Sequence, residues 1–270
     1  MTIVTISRGS YSMGKVVAEK TAARLGYDCI SREVLLEASD KFNIPETKLV
    51  NAIIDTPSFL NRFTHDQENS ITYIQSTLVR RLCNDNVVYQ GLAGHVFLKD
   101  ISHVLKVCIV ASIETRAANL MVRENVTEQE AVQWITKVDK DRRKWTQQLY
   151  GVDPWDPLLY DVVLKADHFD IDDIVETIYH SAKSPRFRTT DASASAIRDL
   201  AIALEIKANL VGPHPELKVL CTNGNVILYV DAHNTNLRKL QVKADGLRTH
   251  IKGINNLEIH EGTNAPPPAI

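Results

Sequence analysis

A seven-residue stretch, Gly9-Ser10-Tyr11-Ser12-Met13-Gly14-Lys15, constrains this chain more than any other feature. It fits the spacing G-x-x-x-x-G-K, follows a β-rich run at 3–7 and precedes a helical pattern at 16–25 that Gly26 closes. Strand, glycine-bearing loop and helix in that order open an α/β unit. Glycines let backbone N–H groups turn inward on phosphate oxygens, the helix start adds positive dipole, and Lys15 supplies a mobile charge. Val16 and Val17 follow Lys15, where a complete motif offers Mg²⁺ a Ser or Thr hydroxyl. Metal there is left to other groups or to water. The structural alternative is a turn with an exposed lysine.

Further β-branched runs at 86–90 and 104–111 are of strand length, the second nearly continuous in apolar character, as a buried parallel strand is. Thr64-x-x-Gln67 and Thr127-x-x-Glu130 have capping-box spacing ahead of periodic stretches, the second with Ala131, Trp134, Ile135 and Val138 on one face. The expectation is a parallel sheet flanked by helices. With 44% apolar and 24% charged residues over 270 positions, the chain reads as two folded domains. A small-residue and polar run at 183–195 supplies the linker, with a net charge of −5 over residues 1–182 and +3 over residues 183–270. The overall charge of −2 argues against nucleic acid as the main partner. No run reaches a membrane-spanning length, and the start lacks a signal-peptide pattern. Cys29, Cys83, Cys108 and Cys221 form no C-x-x-C pair, so a cytoplasmic, reducing setting is expected.

Several pieces together resemble the cytidylate kinase-like family of P-loop nucleoside monophosphate kinases. They are Ile6-Ser7-Arg8, the stretch from Gly14-Lys15 to Leu25-Gly26, Ser31-Arg-Glu-Val-Leu35, Val87-Val-Tyr-Gln-Gly91, Ala111-Ser-x-Glu-x-Arg116, Ala131-x-x-x-Ile135-x-x-x-Asp139-x-x-Arg142 and Tyr160-Asp-Val-Val-Leu164. The resemblance spans nearly all of residues 1–182. It implies a P-loop kinase fold that binds ATP with Mg²⁺ through Gly9, Ser10, Tyr11, Ser12, Met13, Gly14, Lys15 and Val16. It also implies an acceptor nucleotide near Arg32, Gly91, Asp139 and Arg142, and transfer of the γ-phosphoryl group with Lys15, Arg116 and Arg142 as catalytic cations. Where cytidylate kinases carry Gly-Arg-Asp, this chain has Gly91-Leu92-Ala93, and Ile135 stands in place of a lid arginine. Each charge-assisted hydrogen bond lost this way is worth on the order of 1.5–3 kcal/mol. Ser31-Arg32-Glu33 likewise replaces an acceptor-reading Asp-Thr/Ser-Gly stretch, and Arg32 is either a compensating charge or a surface residue.

Other features read as structural. Arg123 and Arg143 suit solvated helix salt bridges. His95 and His103 flank an apolar run without metal-ligand spacing, and no metal-binding residues are assigned. Trp145, Tyr150, Trp155 and Tyr160 suit the core better than base stacking. Asp153 and Asp156 suit helix capping or a metal, and the acidic run at 167–173 suits a helix start.

After the linker the order is helix (194–210), strand (217–222), Asn223-Gly224-Asn225, strand (226–232), helix (236–251), strand (254–260). Asn-Gly between alternating strands signals a tight hairpin, whose turn needs positive φ at both central residues. This αββαβ order over 196–261 resembles a BON domain, ahead of a frayed tail at 262–270. A nucleotide substrate is the expected partner, with a protein partner or a second copy docking through the C-terminal module. The alternative is a nucleotide-binding regulatory protein, weak or inactive as a kinase, that signals through that module.

Overall fold

The computed structural model describes residues 2–54, 64–91, 93–231 and 236–262. Leu92, the residues from 263 to the end and the last position of the strand expected at 226–232 lie outside them. Five strands, β1 (Ile3–Arg8), β2 (Asp28–Ile30), β3 (Val87–Gln90), β4 (Val104–Val110) and β5 (Val162–Lys165), form a parallel sheet in the order β2-β3-β1-β4-β5. The helices are α1 (Gly14–Leu25), α2 (Glu33–Phe42), α3 (Glu46–Ile54), α4 (His65–Leu82), α5 (Gly94–Phe97), α6 (Ile113–Glu124), α7 (Glu128–Tyr150), α8 (Ile171–Ala182), α9 (Asp191–Leu210) and α10 (Leu237–His250). Three more strands, β6 (Lys218–Thr222), β7 (Asn225–Val230) and β8 (Asn256–Glu261), make a separate small mixed sheet.

The apolar character of β1 and β4 follows from their central places, with Ile3, Val4, Ile6, Leu105, Val107 and Ile109 buried. Val17, Ala18 and Ala22 of α1 and Ile174 and Ile178 of α8 join Val4, Ile6, Val107 and Ile109 in one core. The sequence pattern missed β2 and β5 as strands because they are three and four residues long and keep exposed positions. Both capping boxes form as their spacing predicts, at Thr64 with Gln67 and at Thr127 with Glu130. The face expected on α7 shifts: Ala131 and Ile135 are buried with Ala117 and Leu120, whereas Trp134 is exposed. At 100° per residue, positions 131, 135, 138 and 142 line up and 134 falls at the stripe's edge. The same stripe turns Arg142 inward.

Contacts divide the molecule into two compact units that cross the chain order. One takes in the chain to Glu33 and Asn84–Thr190, and with it the parallel sheet, α1 and α5 to α8. The other holds Val34–Ala52, α4 and the chain from Asp191 on. In this second unit α4 packs along α9, and Ile202, Ile206, Leu210, Leu228, Leu240 and Ala244 form a core with the small sheet. The helix expected from 194 starts at Asp191, inside the stretch expected to be a linker, and Pro185–Phe187 forms a 3-10 turn just before it. The hairpin forms as expected, with Thr222 paired to Asn225 and positive φ at Asn223 (50°) and Gly224 (75°).

Candidate phosphate-binding site

The 9–15 loop leaves the end of β1, the strand flanked on one side by β3 and on the other by β4. Ligands in open parallel sheets collect in the crevice at such a point. The Gly9, Ser10 and Tyr11 carbonyls of the loop each accept from a protein side chain. Arg116 Nε donates to the Ser10 carbonyl at 2.7 Å and Asn119 Nδ2 to the Tyr11 carbonyl at 3.0 Å, both from α6. Ser12 Oγ donates to the Gly9 carbonyl at 2.9 Å and also reaches the Ile109 carbonyl at 3.2 Å. With these carbonyls held back, and with no side chain capping α1, the loop presents N–H groups at a helix start. Tyr11 and Met13 sit at φ 61° and 62°, a left-handed backbone that costs a non-glycine residue energy and that the loop's bonds hold in place. Gly14 is needed for a different reason: a Cβ there would lie 2.2 Å from Cδ of Arg8. Lys15 extends into solvent beside Glu19, 3.7 Å away, while Ser10 and Ser12 are buried and Met13 and Val16 exposed.

Arginines surround the loop. Arg116 is 7% exposed and makes a two-pronged pair with Asp139, at 2.7 and 2.8 Å. Its guanidinium also lies 3.4 Å from where a Cβ on Gly9 would stand. Arg142 Nη1 donates to the Arg8 carbonyl at 3.1 Å. Burial first, then Arg8, pushes Arg142 down to about 10, against the opposing pull of Asp139. Burial and Arg123 lower Arg8 too, and its Nε is buried without a hydrogen-bond partner among the described residues. Ser10 Oγ is likewise buried without a partner. Three arginines at the loop against one carboxylate, with two buried unmatched polar atoms among them, suit an anion of multiple charge.

The structure thus brings together the loop, Arg116, Asp139 and Arg142. Arg8 and Asn119 complete the set; the sequence held Arg8 only as part of a short motif, and an asparagine on a helix carries no spacing signal. Arg32 stands exposed just ahead of α2. Gly91 has a packing reason of its own, since a Cβ there would fall 2.1 Å from the Tyr89 hydroxyl. Ile135 is fully buried between α6 and α7, so an apolar residue there serves the core.

Beneath the loop, Ser7 Oγ meets His95 Nδ1 at 2.7 Å, and His95 Nε2 meets the Tyr160 hydroxyl at 3.1 Å. Tyr160 gives its one proton to the Pro154 carbonyl at 2.7 Å. His95 therefore donates from Nε2 to Tyr160 and accepts the Ser7 proton at Nδ1. Burial pushes His95 down to about 4, so it stays neutral. Asp153 accepts from Arg143, Asp156 caps the short turn at Pro157–Leu159, and Asp170 caps α8. Among the described residues no group of three or more His, Cys, Asp or Glu is placed to hold a metal, and no helix is long and apolar enough to cross a membrane.

A five-stranded parallel sheet flanked by helices, with a phosphate-type loop after its central strand, defines the P-loop kinase class of fold. A crystal structure of an uncharacterized protein from Eubacterium ventriosum shares it, with TM-score 0.53 and 22% identity over 68% of this chain and 99% of that one. The cytidylate kinase-like family matches residues 3–168, and the chain belongs to that family. A cytidylate kinase of Methanopyrus kandleri is 33% identical over 96 residues, covering 33% of this chain and 50% of that protein. One of Thermococcus kodakarensis is 32% identical over 89 residues, covering 33% and 45%. The chain spans about half the length of the curated relatives it matches.

Proposed function

We propose that this chain transfers the γ-phosphoryl group of ATP to a nucleoside monophosphate or a related small phosphate acceptor. The observation that carries this reading is the loop whose carbonyls are held back by Arg116, Asn119 and Ser12, ringed by Arg8, Arg116 and Arg142. Phosphoryl transfer asks a protein mainly to position two anions and to neutralise charge on the equatorial oxygens. Lys15 and the loop amides hold the ATP phosphates, and Arg116 and Arg142 neutralise the group in transfer. Asp139 keeps the Arg116 guanidinium fixed. Each of its oxygens accepts one Arg116 hydrogen bond and keeps a further lone pair for a donor on the acceptor. Arg32 and Gly91 belong to the acceptor side of this proposal. The residues present suit ATP. They do not suit a protein-held Mg²⁺ at the helix start, because Val16 has no side-chain oxygen and Ser12 Oγ is committed to carbonyls. The helix and strand order of 191–261 supports a BON-like reading of the C-terminal module, in a regulatory role.

The test is ADP release by the purified chain from ATP and Mg²⁺ across a panel of nucleoside monophosphates. Acceptor-dependent release is expected, reduced at least about 100-fold by Lys15→Ala, the size of effect that loss of a charge-stabilising group produces. ATP binding without turnover on any acceptor would overturn transfer and favour a nucleotide-sensing role.

A further inference from the structure

The second unit contains a cavity of about 610 Å³, within the size range of small-molecule sites. Its walls come from the end of α4, from α9, from the Asn223-Gly224 turn and from residues 251–255. The acidic groups in it are already occupied. Asp199 accepts from the N–H groups of Asn223 (2.8 Å) and Gly224 (2.9 Å), and Glu205 from Lys41 (3.1 Å) and Arg80 (2.9 Å). Arg198 and Lys252, by contrast, line the same cavity with no carboxylate partner among the described residues. Ile202 and Ile251 give it apolar surface, and Ser195 and Asn255 add hydrogen-bonding side chains.

A concave surface that gathers unmatched cations while its carboxylates are already bonded to the cavity's own walls attracts anions. The apolar surface and the volume exceed what a bare phosphate needs. We infer that this cavity is a second ligand site, separate from the 9–15 loop, that takes a phosphate-bearing small molecule of nucleotide size. Arg198 and Lys252 hold its phosphate, and Ile202 and Ile251 pack against its remainder. Because Arg80 belongs to α4 and Arg198 to α9, the ligand bridges a helix inside the family-matched stretch and one outside it.

The experiment is equilibrium dialysis of the full chain against ATP, CMP and inorganic phosphate, in the parent, Lys15→Ala, Arg198→Gln/Lys252→Gln and the triple variant. Both cavity side chains are exposed, so their replacement leaves the fold in place, which circular dichroism checks. Lys15→Ala is expected to keep one saturable equivalent of ATP or CMP, weakened at least 10-fold in the triple variant. If Lys15→Ala removes nothing while the double variant removes everything, the loop fails as a nucleotide site and the cavity stands. The inference is overturned if Lys15→Ala abolishes all saturable binding, if the remaining binding ignores Arg198→Gln/Lys252→Gln, or if inorganic phosphate binds there as tightly as the nucleotides.

Discussion

At the residue scale, His95 shows how a side chain that looks idle in the sequence acquires a job from its partners. It is 3% exposed, joined to Ser7 just before the loop and to Tyr160 beyond α7. Its pKa lies at about 4 in the folded chain against 6.5 for the ordinary group. Between those values the unfolded chain binds a proton that the folded chain refuses. Stability is therefore full above pH 6.5 and lost as pH falls toward 4, by roughly 3 kcal/mol at the acid end for a shift of this size. Urea titrations of the parent and of His95→Gln between pH 7 and pH 4.5 read this directly: the parent is expected to lose stability more steeply. A second buried histidine, His103, is also lowered by burial, so parallel slopes in the two proteins would assign the acid sensitivity to it. No spacing rule could have found His95, because its partners lie 88 and 65 positions away.

At the scale of elements, the sequence told most where a local rule applied. Gly9 to Lys15, the two capping boxes and the Asn223-Gly224 turn are each written within a few residues; the first joins a strand to a helix as expected, and the others form as their spacing implies. The carbonyl-holding contacts from Arg116 and Asn119 join α6 to a loop more than a hundred positions earlier; the family resemblance marked Arg116 only as a catalytic cation, and nothing in the sequence marked Asn119. The short edge strands β2 and β5 lack enough residues for a period to show. The helix α7 ties these levels together, since it carries Asp139 and Arg142 and starts at the Thr127 box. Thr127→Ala is expected to cost about 1 kcal/mol, as loss of a helix cap usually does, and to lower the melting temperature by a few degrees. Because Asp139 is three turns from that end, the nucleotide affinity of the folded protein should stay within about twofold, which a titration at 20 °C checks.

For the molecule as a whole, the division into units matters more than the order of the sequence. The second unit is assembled from residues before and after most of the first, and α4 packs along α9 within it. A chain stopped at residue 190 keeps every strand of the parallel sheet but leaves α4 without α9. Such a truncation is expected to self-associate at micromolar concentration in sedimentation velocity while the full chain does not, since uncovered helix faces seek other cover. Monodisperse behaviour equal to that of the full chain would show α4 to be independent of α9. The same threading sets a clock during synthesis. About a hundred residues separate the end of α4 from the start of α9, so at a ribosome's pace of ~5–20 residues per second α4 waits some ~5–20 s for its partner. In that interval the nascent chain is a client for whatever holds exposed helices in the cell, and slowing translation after residue 82 lengthens its exposure.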